Sequence, residues 1–257
     1  MSLDGRRVLV VGGGTRHSPE PDAPPGNGRA IAVAAARAGA AVVVSDKDVH
    51  AAEETVALVH AEGAVAHAVQ ADVADADACA QMVADARDAL GGLDGLVLNV
   101  GIGLGAGGLA GTTAAHWDTT FAVNVRSHFL TLQAAFPLMP DGGSVVLISS
   151  LAGLKPGSRL PAYDASKAAQ FGLARHAAIE GARQGIRVNT VAPGLIDTPL
   201  GRAATAGRPS RGTTRIPLGR QGTAWEVADA TVFLLGSRSS YITGQVLAVD
   251  GGLSTLA

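Results

Sequence analysis

A single cysteine, Cys79, stands in the whole chain, so neither an internal disulfide nor a cysteine metal cluster can form, and no metal site is expected. Its Ala-rich surroundings predict a small buried residue. Aromatic residues make up only 4% and charged residues 16%, against 47% of hydrophobic types, which is ample material for a large core. No run of about eighteen apolar residues occurs, so no membrane-spanning helix is expected. Nor is there a basic block to neutralise phosphates. The formal net charge of −2 is scattered, which argues against a nucleic-acid or membrane-surface partner. The opening MSLDGRRVLVV enters a strand-like run without a separate apolar segment and small-residue cleavage site. No export signal is therefore expected, and the expected location is cytoplasmic.

What is abundant is glycine, 34 residues of it, placed mostly beside short apolar runs rather than in clusters. Seven β-branched runs recur at residues 7–11, 41–45, 64–70, 95–99, 144–149, 187–192 and 245–249. Several are apolar at successive positions, as strands buried on both faces of a parallel sheet are. Ala-rich stretches between them, including 29–38, 51–62, 75–90 and 163–183, are long enough for helices. The alternation predicts a doubly wound α/β sheet, and with no linker, repeat or composition shift the whole of 1–257 reads as one domain. Two segments break the pattern. Residues 15–25 (TRHSPEPDAPP) carry four prolines and cannot be helix or interior strand. Residues 199–220 lack an apolar period and read as an irregular lid over a site.

The first strand runs into Gly12-Gly13-Gly14, and Gly26-Asn27-Gly28 opens the following helix. This is the phosphate-cradling arrangement of dinucleotide folds, in which glycines admit the pyrophosphate and helix-start N–H groups face it. Asp46 ends the second strand, where a carboxylate accepts both ribose hydroxyls and repels a 2′-phosphate. That predicts NAD rather than NADP. Two qualifications stay open: neighbouring Lys47 could receive a phosphate, and Asp46 could simply cap the next helix.

Tyr163 and Lys167 stand at i and i+4, on one helix face. A phenol titrates near ~10, so proton transfer near neutrality requires roughly three units, or about 4 kcal/mol, of phenolate stabilisation. An adjacent ammonium and a positive nicotinamide ring could supply it. Ser150 ends the fifth strand thirteen residues before Tyr163, at the carboxyl edge where such sheets bind ligands. Asn124 is a polar residue in an apolar helix, and its amide needs partners if buried. Singly, each could be a helix cap or a satisfied core amide; together they point to one site.

With these motifs in this order, the chain resembles the short-chain dehydrogenase/reductase family from about residue 6 to 252. The resemblance rests on the glycines before Arg29, Asp72-Val73, Asn99-Val-Gly101, Asn124, Ser150, Tyr163-x-x-x-Lys167, Asn189, Pro193-Gly194 with Thr198, and Asp250-Gly251-Gly252. It implies a single-domain Rossmann-type sheet of seven mainly parallel strands in order 3-2-1-4-5-6-7. Tyr163 would exchange a proton with the substrate oxygen and Ser150 would polarise that oxygen. Lys167 would lower the tyrosine pKa and hold the nicotinamide ribose, and Asn124 would position a relay water. Gly12, Gly26, Asn27, Gly28 and Asp46 would bind the dinucleotide. Asp72 and Val73 would contact adenine, Asn99 and Gly101 would lie along the adenosine side, and Pro193, Ile196 and Thr198 would meet the nicotinamide.

The family's glycine fingerprint has three residues between its first two glycines; this chain has thirteen between Gly12 and Gly26, an insertion of ten. It reads as a surface bulge or as a strap over the phosphates, with Thr15 or Arg16 donating. Val100 stands where an asparagine is frequent. The expected activity is NAD-dependent interconversion of a secondary alcohol and a ketone. An NADPH-dependent 3-oxoacyl carrier-protein reductase and a catalytically silent nucleotide-binding scaffold are the alternatives. The family also implies a homotetramer, helped by small residues Ala165, Ala168, Ala169 and Gly172 on the Tyr163 helix. The substrate pocket is expected between 102–104, 151–160 and the lid, with Arg159 at its rim.

Overall fold

Valines and leucines alternate between two cores along each central strand. In β1 (Arg7–Val11) Val8 and Val10 face one core, while Leu9 and Val11 face the other. The same alternation places Val42 and Val44 of β2 (Ala41–Asp46) opposite Val43. That is why these runs are apolar at every position: both faces of the sheet are covered. The computed structural model describes residues 2–20 and 22–256, apart from the Pro209 side chain.

Chain order runs β1, α1 (Asn27–Arg37), β2, α2 (Val49–Ala61), β3 (Ala66–Gln70), α3 (Ala76–Leu90) and β4 (Gly95–Leu98). Then come α4 (Ala114–Phe121), a π-turn (Ala122–Arg126), α5 (Ser127–Ala135), β5 (Ser144–Ile148), α6 (Pro161–Gly181) and β6 (Arg187–Pro193). The chain continues through β7 (Ile196–Asp197), α7 (Pro199–Ala206), α8 (Pro209–Gly212), β8 (Gly222–Thr223), α9 (Ala224–Leu235) and β9 (Val246–Val249). The main sheet has seven parallel strands in the order β3-β2-β1-β4-β5-β6-β9, as the resemblance implied. Helices α1, α2 and α9 supply one core, and α3, α5 and α6 the other. Cys79 is fully buried on α3, and burial pushes its thiol up.

One of the two loop segments differs from the sequence-based expectation. Residues 199–220 are not wholly irregular: α7 and α8 form there, each with proline in its first turn, where the missing N–H costs nothing. β7 and β8 pair in parallel as a separate two-stranded sheet at the root of this lid. The 15–25 insertion contains no helix or strand among its described residues, as its prolines required.

Candidate active site

The carboxyl ends of β1, β4, β5 and β6 open onto one edge, and the singled-out residues gather there. At β1, Gly12 has φ +77°, and a side chain on it would run into Val100. A Cβ on Gly28 would collide with the Gly12 carbonyl, so only glycine lets α1 start this close to the loop. The first backbone bond of α1 is Ala30 N to Gly26 O at 3.1 Å, and Gly26 makes no side-chain cap. The N–H groups of Asn27, Gly28 and Arg29 therefore lie outside the intrahelical ladder. The buried Asn27 Oδ1 also has no partner among the described residues. A glycine cradle, uncapped helix N–H groups and an orphaned polar atom fit a dinucleotide pyrophosphate.

Asp46 accepts Gly14 N at 3.0 Å through Oδ2 and Asp48 N at 3.2 Å through Oδ1. The N-cap of α2 is Asp48, whose carboxylate accepts from His50 N and Ala51 N, so the capping alternative for Asp46 falls. Asp72 is exposed and bonds Ala74 N, while the Val73 side chain is buried, leaving its backbone to face the edge. Asn99 donates to Gly12 O at 2.7 Å and ties the β4 end to the glycine loop. Gly101 packs against the Lys167 amine: a Cβ there would be 2.9 Å from Nζ. Ile196 buries its side chain in β7, next to Pro193 at the end of β6, and Thr198 caps α7 by accepting Gly201 N at 3.0 Å.

Tyr163 sits in the first turn of α6, partly exposed to the cleft. Ser150 Oγ accepts Ala152 N at 3.1 Å, capping the turn Leu151–Gly153, and its hydroxyl acts on the Tyr163 phenol. Lys167 is 3% exposed, donates to Ile148 O at 3.0 Å and holds Nζ 5.8 Å from the Tyr163 ring centre. Ser149 donates to Lys167 O at 2.7 Å and pins α6 to β5.

The electrostatics depart from expectation. Burial pushes the Tyr163 phenol up, the Ser150 hydroxyl pulls it down, Asp164 raises it and Arg211 lowers it. Lys167 is pushed down to about 7 by its own burial. The lowered tyrosine expected from Lys167 is thus not a property of the protein's residues alone. The amine lies over the ring face.

Asn124 is wholly buried in the π-turn between α4 and α5. Its Oδ1 accepts Ile102 N at 2.8 Å, and its Nδ2 donates to Ile102 O at 2.8 Å and Ser166 Oγ at 2.9 Å. A π-turn offsets one backbone carbonyl from the α-helical ladder. Here Gln170 Nε2 donates to the Asn124 carbonyl at 2.6 Å, on the residue expected to position a relay water.

A family model described as enoyl-(acyl carrier protein) reductase matches residues 24–254. The 2-(S)-hydroxypropyl-CoM dehydrogenase 3 of Xanthobacter autotrophicus is 36% identical over 257 residues, covering 97% of this chain and 96% of that protein. The chain belongs to the short-chain dehydrogenase/reductase family. As such it is an oxidoreductase, on a frame whose solved members hold either nicotinamide dinucleotide. A 7α-hydroxysteroid dehydrogenase complexed with NADH and 7-oxoglycochenodeoxycholic acid has TM-score 0.88 at 31% identity, covering 98% of this chain and 95% of that one. A blue fluorescent protein from a metagenomic library, in complex with NADPH, has TM-score 0.89 at 34% identity, covering 99% and 100%.

Two buried residues near the site had no place among the sequence-based expectations: Gln170 and His128, the latter with Nδ1 3.1 Å from Gln170 Nε2. Their only signal was a pair of polar side chains at apolar-face positions of α5 and α6. Arg211 also escaped, because nothing in a lid sequence tells which of several arginines turns inward. Among the described residues no group of three or more His, Cys, Asp or Glu gathers as a metal site, and no helix is long and apolar enough to cross a membrane.

Proposed function

We propose that this protein is an NAD-dependent dehydrogenase interconverting a secondary alcohol and a ketone, with Tyr163 as its general acid/base. The observation that carries the reading is the Lys167 amine buried over the Tyr163 ring, at the sheet edge where Ser150 follows β5 and acts on the phenol. When bound, the dinucleotide supplies a hydride acceptor at its nicotinamide ring. In oxidation the carbinol carbon gives up its hydrogen with the electron pair, and the C–O bond becomes C=O. The hydroxyl proton passes to Tyr163 Oη. Ser150 Oγ donates to the same oxygen and fixes it opposite the phenol. Lys167, anchored on Ile148 O, holds the ribose side and stabilises the phenolate. Asn124 acts through Ile102, holding the loop after β4 against the site. Asp46, with both oxygens held by backbone N–H groups, supports the preference for NAD.

We also propose a homotetramer built on α6. Gly172 is exposed, with open space for 4 Å around the point where a Cβ would stand, and Ile179 on the same helix is 74% exposed. The function is tested by following reduction of NAD and NADP with a panel of secondary alcohols. Formation of NADH with at least one of them is expected. Silence across the panel in both directions sinks the proposal.

A further inference from the structure

The lid brings two arginines without carboxylate partners among the described residues to the pocket rim formed by residues 157–158. Arg211, on α8, is partly buried and donates through Nη1 to Gly201 O at 2.9 Å and to Thr205 Oγ1. Arg208 donates to the carbonyls of Gly157 and Ser158 at the pocket rim. Among the described residues neither arginine has a carboxylate within 4.0 Å, whereas Arg7, Arg29, Arg37, Arg202 and Arg220 each do. Asp164, the acidic group acting on the phenol, spends Oδ2 on Gly157 N at 3.1 Å and Ser158 N at 3.3 Å. A partly desolvated guanidinium without a counter-ion is costly to keep unless something anionic docks there.

Its position says what that is. Arg208 is bonded to the carbonyls of Gly157 and Ser158, whose N–H groups are held by Asp164 next to Tyr163 on α6. The one-turn α8, with Arg208 at its N-cap and Arg211 within it, thus sits over the pocket rim beside the phenol's helix. Burial, then Arg208, destabilise the Arg211 charge, which an incoming anion would restore. We propose that Arg211, backed by Arg208, is the subsite for an oxyanion group of the substrate. The alcohol oxidised at Tyr163 then carries a carboxylate or a similar forked oxyanion at its far end. This deepens the dehydrogenase reading and rests on it.

The test pairs straight-chain hydroxy acids of graded length with their methyl esters, using the full-length enzyme and NAD. A charge-assisted contact predicts kcat/KM higher for the acid by roughly ten- to hundredfold. Added salt should erode that ratio in the wild-type protein. In Arg211→Gln the ratio should fall to about one, with Arg211→Lys between, since the ammonium keeps the charge and loses the fork. Should Arg211→Gln fail to fold, the salt titration and Arg211→Lys carry the test. Esters used as well as acids overturn the subsite and leave the dehydrogenase standing; no turnover of any alcohol brings down the dehydrogenase reading instead. A readout without turnover separates the two. Levulinate should bind the enzyme–NADH complex more tightly than methyl levulinate by nicotinamide fluorescence, and Arg211→Gln should abolish the difference. Equal binding of the two, or weakened NADH binding to Arg211→Gln alone, overturns the proposal, the latter by placing the arginine on the cofactor phosphate.

Discussion

The side-chain amide of Gln170 donates to the main-chain carbonyl of Asn124 at 2.6 Å, and the same nitrogen lies 3.1 Å from Nδ1 of His128. All three residues are at most 1% exposed. With both amide hydrogens used, the network assigns His128 Nδ1 as acceptor and leaves its proton on Nε2. Burial holds that imidazole down to about 3, with the Lys167 charge second, so it stays neutral at working pH. Gln170→Leu would orphan two buried acceptors, at about 1–3 kcal/mol each. A lower Tm and a kcat reduced roughly tenfold are expected, the latter because Asn124 loses its fixed position. Calorimetry and steady-state kinetics check both, and wild-type values of the two would refute the positioning role.

Lys167 supplies a pH dependence of stability. Its folded pKa of about 7 lies below the ordinary 10.5, so the unfolded chain binds more protons between those values. The cost of burying the charge is full below pH 7 and disappears as pH rises from 7 to 10.5. Lys167→Met removes it, on the order of 5 kcal/mol. Without cofactor, the variant should be more stable than wild type at about pH 6, with the gap closing towards alkaline pH. Parallel stability curves would contradict the buried charge.

The 15–25 insertion is fastened at both ends of a span. Thr15 Oγ1 accepts Gly26 N at 3.0 Å at its neck, and Glu20 pairs with Arg202 of α7, itself clamped on Asp197 at 2.7 Å and 2.9 Å. The loop is thus tied to the lid as well as at its own neck. Glu20→Gln should raise the NAD dissociation constant roughly two- to fivefold, more at low salt than at high salt. Deleting residues 16–23 should raise it further. An unchanged constant after the deletion would show that the loop does not touch cofactor retention.

Asp46 can be tested by exchange. Asp46→Ser removes the carboxylate proposed to face the ribose and should cut the proposed NAD-to-NADP preference in kcat/KM by at least about tenfold. A preference that does not move would put cofactor choice elsewhere, with Lys47 the first candidate.

Much of this was legible in the residues themselves. Consecutive apolar positions in β1, β2, β4 and β5 announced a sheet covered on both faces, because each strand feeds two cores. Tyr163, Ser150 and Lys167 were legible because strand ends and helix turns fix where side chains emerge. Gln170 and His128 were not: a buried polar pair depends on the crossing of α5 and α6, which no local pattern encodes. The same holds for the Glu20–Arg202 tie, which joins residues far apart in the chain, and for α7 and α8, whose weak periodicity is settled by packing.

In the proposed mechanism catalysis turns on the Tyr163 phenol, with the Lys167 amine held over its ring. Tyr163→Phe removes one oxygen and keeps the ring. With the best alcohol from the panel, kcat should fall by roughly 10²–10⁴, while NAD binding by fluorescence titration stays within about twofold of wild type. A Tyr163→Phe enzyme that oxidises the alcohol at the wild-type rate would contradict the central claim.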